Sequence, residues 1–173
     1  VGIIRSHYLG RTFIQPSQRA RQKGVRMKHS PNRSALEGKR VVLIDDSIVR
    51  GTTSLKLVRA VRAAGAKEVH LRSASPQILF PDFYGIDMPE RTQLMAATHT
   101  MDEMRAILEV DSLGFLSIDG LYDALGAGPR DAANPQFTDH YFTGDYPTRL
   151  LDREMEEGGR DAKGGQLSLL VTA

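Results

Sequence analysis

The run VVLIDDSIVRGTTS, Val41 to Ser54, constrains the fold more than any other part of the chain. Its apolar residues from Val41 are continuous rather than alternating and rich in Val and Ile, which predicts a buried-type strand over Arg40 to Asp45. Leu55, Val58, Val61 and Arg62 then recur at helical spacing from Thr52 or Thr53 to about Ala64, with Gly65 as the stop. Glu68 to Ala74 reads as a second strand. Strand, helix and strand in this order make a crossover whose strands run parallel with a right-handed connection, so the fold class is α/β, a parallel sheet flanked by helices.

The remaining elements are shorter. Gly2 to Ile4 reads as the remnant of a strand, Met101 to Leu108 as a helix capped by Thr100 or Asp102, Gly114 to Leu116 as a short edge strand, and Ser117 to Leu125 as a helix stopped by Gly126. Pro76 to Pro89, with Pro76, Pro81 and Pro89, is loop. His7 to Asn32 is polar, basic and weakly periodic, and a segment of that length is a lid or a disordered linker. The pattern fades after Gly126, which divides the chain into a domain over 1–126 and an extension over 127–173. Within that extension Glu154 to Gly165, biased toward charge and glycine, is expected to be mobile.

A chain of 173 residues suffices for one domain with a sizeable core. It contains no cysteine, so it holds no disulfide, no thiolate metal site and no nucleophilic cysteine of its own. No apolar run approaches the roughly 18 to 20 residues of a membrane span, and VGIIRSHYLG lacks the apolar core of a signal peptide, so a cytoplasmic protein with no membrane partner is expected. The start at Val1, directly followed by a strand-like VGII, leads us to expect a further upstream portion. Charge is unevenly placed. From Val1 to Leu36 there is no acidic residue against eight basic ones, Arg5, Arg11, Arg19, Arg21, Lys23, Arg26, Lys28 and Arg33, which points to an anionic ligand.

In an open parallel sheet, ligands bind beyond the carboxyl ends of the strands, which puts Asp45 and Asp46 at the rim of a site. The turn Ser47, Ile48, Val49, Arg50, Gly51, Thr52, Thr53 follows at once. It offers backbone N–H groups, three hydroxyls and a helix N-terminus, with Gly51 allowing close approach, and together these form an anion cradle. A ligand that satisfies both ends carries a phosphate for the turn and hydroxyls or hydrated Mg²⁺ for the carboxylates, as a phosphorylated sugar does. Two blander readings are a receiver-type Mg²⁺ site and a solvated strand end beside a helix cap. The fingerprints GxxxxGK[ST] and GxGxxG are absent.

VVLIDDSIVRGTTS resembles the phosphoribosylpyrophosphate (PRPP) loop of type I phosphoribosyltransferases. With YLGRTFIQPSQRARQKGVRMKHSPNR before it, and FPDFYGIDMP and TGDYPT after it, the chain is similar to the glutamine PRPP amidotransferase family. The resemblance implies a type I phosphoribosyltransferase fold that is N-terminally incomplete and has a mobile C-terminal tail. It implies that Asp45 and Asp46 bind Mg²⁺ and the ribose hydroxyls while the loop 45–53 holds the 5-phosphate. Tyr8 to Ser30 matches the family's lid. Within it Tyr8, Arg11, Arg26 and Lys28 fall at catalytic lid contacts, Lys28 against pyrophosphate, and His7 and His29 are lid or solvent residues. FPDFYGIDMP shapes the pocket floor or is a structural turn.

The activity implied is displacement of pyrophosphate from PRPP by glutamine-derived ammonia, giving 5-phosphoribosylamine, the first step of purine synthesis. The glutaminase half that releases ammonia is not in this sequence, and the full-length enzyme is expected to be a homo-oligomer. Some members carry an iron–sulfur cluster with a cysteine pair just before TGxYPT. Here Thr138 and Tyr141 occupy those positions, so no iron–sulfur cluster is expected, and its stabilising role passes to packing or is lost. Alternatives are a phosphoribosyltransferase acting on a nucleobase, and a non-catalytic PRPP-sensing regulator whose basic segment binds nucleic acid. Nucleic acid is not expected as a partner, because no helix-turn-helix or zinc finger accompanies the basic segment and Phe13 alone is a poor stacking platform.

Overall fold

The computed structural model describes residues 1–5, 29–85 and 90–148. In chain order the elements are β1 (Ile3–Arg5), β2 (His29–Pro31), α1 (Arg33–Leu36), β3 (Arg40–Asp45), α2 (Thr52–Ala63), β4 (Glu68–Ser73), a 3₁₀ turn (Arg91–Gln93), α3 (Met95–Thr98), α4 (Met101–Ile107), β5 (Ser112–Phe115), α5 (Ile118–Ala124) and α6 (His140–Thr143). β3, β4 and β5 form a parallel sheet in that order, with Leu43, Leu71 and Leu113 in register across it. The predicted crossover β3–α2–β4 is therefore present, and the crossover from β4 to β5 passes through α3 and α4. No helix among the described residues is long and apolar enough to cross a membrane.

One face of the sheet carries the core. Val41, Leu43, Val69, Leu71, Leu113 and Phe115 project from it against Val58 and Val61 of α2, Met95 of α3, and Met104 and Leu108 at α4. Ser54, Val58 and Val61 are the buried residues of α2, at i, i+4 and i+7, as one stripe on a 3.6-residue period requires. Burying each such Val or Leu contributes about 1.5–3 kcal/mol, against about 0–1 kcal/mol for an exposed ion pair such as Arg33–Glu37, so packing on this face decides the fold.

The other face differs from expectation. β3 alternates between exposed and half-buried residues, and Val42 and Ile44 remain 60% and 71% exposed. The apolar run reads as a strand covered on both faces, yet among the described residues only the α2 side is packed. Beside Val42 and Ile44 the outer face is polar: Arg40 Nε donates to Glu68 Oε2 at 2.6 Å, and His70 lies between Glu68 and Ser112.

Two small elements were not predicted. β2 pairs antiparallel with β1, Ile3 opposite Pro31 and Arg5 opposite His29, so positions 29 and 30 at the end of the expected lid are strand. α1 follows and buries Leu36. Helix ends agree closely with the capping signals. Thr100, not Asp102, caps α4, with Thr100 N donating to Glu103 Oε2 at 2.7 Å and Glu103 N to Thr100 Oγ1. Ser117 caps α5 through Gly120 N at 3.0 Å.

Beyond Gly126 the chain returns to the 76–85 segment. Leu79 N and Phe80 N both donate to the carbonyl of Tyr141, and Tyr146 Oη donates to Pro81 O at 2.9 Å. His140 Nε2 lies 2.9 Å from Asp82 Oδ1, both side chains 1% exposed. Asp139, equally enclosed, accepts from Tyr122, Arg130 and Thr143. This polar knot fixes residues 139–148 against the segment that leads toward FPDFYGIDMP, of which 86–89 lie outside the described residues.

Candidate active site

β3 ends at the two carboxylates, and each is already engaged on one oxygen. Asp45 is half-buried, and its Oδ2 accepts from Ser54 Oγ in the first turn of α2 at 3.0 Å. Asp46 is exposed, and its Oδ1 accepts from Ser47 N at 2.7 Å. Asp45 thus fastens the strand end to the helix start, while Asp46 stands toward solvent. Ser54 was not singled out from sequence. A polar residue at a stripe position, four before Val58, was the available signal.

The turn between them divides into anchors and exposed groups. Ile48 is 1% exposed, so its side chain serves the core and only its backbone is left to the turn surface. Val49 O accepts from Met95 N at 2.8 Å. Gly51 is buried with φ +71° and ψ −8°, a left-handed conformation that costs a residue bearing Cβ roughly 1–2 kcal/mol. Arg50, Thr52 and Thr53 are exposed, and Ser47 is half-buried.

Gly51 is also the N-cap of α2, and among the described residues no side chain accepts from the first-turn amides. A helix N-terminus without a side-chain cap and without an acidic residue in its first turn keeps its partial positive charge and free donors for an external anion. Carboxylates on one side and amides with hydroxyls on the other make a two-ended site at the C-terminal edge of the sheet, where ligands of open α/β sheets bind.

Among the described residues no group of three or more His, Asp or Glu side chains is placed to hold a metal ion. The donor set at Asp45 and Asp46 is all oxygen, with one oxygen of each carboxylate not taken by Ser54 or Ser47. That suits Mg²⁺, which protein sites bind through one or two carboxylates plus substrate phosphates and water rather than through an all-protein cage. Tyr8, Arg11, Arg26 and Lys28 lie outside the described residues. Thr138 is exposed and Tyr141 half-buried, the Tyr141 phenol being pushed above its usual range by burial and then by Asp82.

Comparison with known proteins accords with this geometry. A phosphoribosyl transferase domain model matches residues 4–74, the stretch from β1 through β4 that contains the carboxylates and the turn. The amidophosphoribosyltransferase of Rhizobium etli is 59% identical over 172 residues, covering 99% of this chain and 34% of that protein. The chain belongs to the amidophosphoribosyltransferase family. Amidophosphoribosyltransferase 2, chloroplastic, of Arabidopsis thaliana is 51% identical over 91% of this chain and 27% of its own length. A solved structure of the Bacillus subtilis glutamine PRPP amidotransferase, complexed with ADP and GMP, superposes with a TM-score of 0.73 at 49% identity, covering 87% of this chain and 33% of that one. The chain therefore spans about a third of the length of the amidophosphoribosyltransferases it matches.

Proposed function

We propose that this chain is the PRPP-binding part of an enzyme that replaces the pyrophosphate of PRPP with ammonia, the first step of purine synthesis. The observation that carries this reading is the turn Ser47–Thr53, with left-handed Gly51 at an uncapped helix start, set directly after Asp45 and Asp46 in a chain 59% identical to an amidophosphoribosyltransferase. The turn binds the 5-phosphate through first-turn amides and the hydroxyls of Ser47, Thr52 and Thr53. The carboxylates orient the ribose through its hydroxyls. Mg²⁺ held beside Asp45 and Asp46 supplies positive charge to the departing pyrophosphate when it is bound.

The reaction breaks the bond from the anomeric carbon to the pyrophosphate oxygen and forms a bond from that carbon to ammonia nitrogen, which then loses a proton to solvent. Ammonia attacks through its own lone pair, so the chain's residues bind, orient and exclude water rather than abstract a proton. In this reading Lys28 serves the pyrophosphate, and Tyr8, Arg11 and Arg26 are further lid contacts to PRPP. Ammonia comes from glutamine through a glutaminase part not contained in these 173 residues.

Asp46→Asn tests the reading. Asn keeps an oxygen for Ser47 N but removes the charge, so the turn stays intact while cation and ribose lose a partner. PRPP affinity in the presence of Mg²⁺, measured by calorimetric titration, should fall about 10- to 100-fold, the scale of a lost charge-assisted hydrogen bond, while the thermal midpoint stays within about 2 °C. Wild-type affinity in the variant sinks the reading.

A further inference from the structure

Among the described residues, two of the attachments that tie the phosphate-binding turn to the body of the protein belong to one residue far along the chain. Met95, in α3, donates its N–H to Val49 O at 2.8 Å. Its thioether fills the space under Gly51: a Cβ built on Gly51 meets Met95 Sδ at 2.5 Å and Cε at 3.3 Å, with Leu108 Cδ2 at 3.2 Å. The buried Ile48 side chain is a further attachment. Met95 is itself 5% exposed and so touches no ligand.

α3 has four residues, too short to be rigid by its own helical bonds, and its stiffness is borrowed. Leu94 is fully enclosed, Thr98 Oγ1 donates to Leu94 O at 2.9 Å, and His99 N donates to Met95 O at 3.0 Å. A thioether is unbranched and polarisable, which lets it seat against a bare Cα where a branched side chain does not.

We propose that Met95 is the positioning residue of the phosphate-binding turn, holding Val49 to Gly51 in place, with Gly51 left-handed, before substrate arrives. This rests on the reading of the turn as the 5-phosphate site. Preorganisation matters because a cradle that must order itself on binding spends interaction energy on that ordering, and a displacement of about 1 Å costs up to about 100-fold in rate.

The test compares Met95→Ala with two controls in the full chain. Met95→Ala keeps the N–H but empties the space below Gly51. Met95→Leu refills most of it, and Val61→Ala makes a cavity in the same core further along α2. Under conditions where all are folded, Met95→Ala should bind PRPP about tenfold more weakly, Met95→Leu should recover most of that, and Val61→Ala should bind like wild type despite its lower thermal midpoint. Amide exchange at residues 49–53 should quicken in Met95→Ala and not in Val61→Ala. Equal affinity in Met95→Ala and Val61→Ala overturns the proposal. If the wild-type chain binds no PRPP, the 5-phosphate reading fails, and the exchange rates alone decide whether Met95 braces the turn; unchanged exchange refutes it.

Discussion

Gly51→Ala is expected to weaken PRPP binding by about 100-fold or more while leaving the chain folded. Two costs fall on the same atom. The left-handed φ of +71° costs Ala about 1–2 kcal/mol, and the new methyl lies 2.5 Å from Met95 Sδ and 3.2 Å from Leu108 Cδ2, an overpacking that costs about 1–3 kcal/mol more. The sum approaches the stability of a modest domain, so the structure relieves it where resistance is least. Met95 Sδ sits on a flexible side chain, but its backbone N–H is tied to Val49 and its far side to the core, so the turn moves instead. Movement of residues 49–53 separates the amides from the carboxylates that they must serve together. The measurement is PRPP affinity against the thermal midpoint. Adding Met95→Ala to Gly51→Ala removes the closest contact but not the Leu108 approach or the backbone strain, so the double variant should regain part of the affinity. Near-wild-type binding by Gly51→Ala alone contradicts the close approach seen beneath this glycine.

How far the sequence reached depended on the kind of signal each residue leaves. The crossover was legible because β3 carries a continuous apolar run, α2 a helical period and β4 an alternation, and because Gly65 marks where α2 stops. Asp45 and Asp46 were legible as site candidates because charges rarely follow a buried strand without reason. β2 and α1 were not, since elements of three and four residues span less than one period of any pattern. The exposure of Val42 and Ile44 was not legible either: a continuous apolar run states what a strand is able to bury, not what stands against it. Met95 left no mark as a site residue, because a buried methionine in a helix reads as core, and its relation to Gly51 exists only across the β4–β5 crossover. Asp82, Asp139 and His140 were hidden for the opposite reason. They are polar residues in segments without period, which resemble solvated loop until their partners, as many as 58 positions away, are seen.

Those hidden residues carry the second large effect. Asp139→Ala should lower unfolding free energy by about 3 kcal/mol, or the thermal midpoint by about 6–12 °C in a chain of this size. Asp139 is 3% exposed, and its carboxylate accepts from Tyr122 Oη at 2.8 Å, from Arg130 Nε and Nη2, and from Thr143 Oγ1 at 3.1 Å. Deleting it leaves a tyrosine hydroxyl and part of a guanidinium enclosed without their acceptor; Asp145 still pairs with Arg130, which keeps the loss below the upper end for a broken buried pair. An exposed pair such as Arg33–Glu37 should give less than about 1 kcal/mol under the same treatment. The pH dependence identifies the cause. Burial pushes the Asp139 carboxyl up, but the hydrogen bonds from Arg130, Tyr122 and Thr143 outweigh it and hold the folded value below the ordinary 3.8. A carboxyl depressed in the folded state contributes stability that is fully present above the unfolded value and is lost as pH falls through the folded one. The difference in thermal midpoint between wild type and Asp139→Asn should therefore hold steady from neutral pH down to about 5 and close only in stronger acid. A gap that widens between pH 7 and 5 means that burial dominates at Asp139 and that its hydrogen-bond network does not form as described.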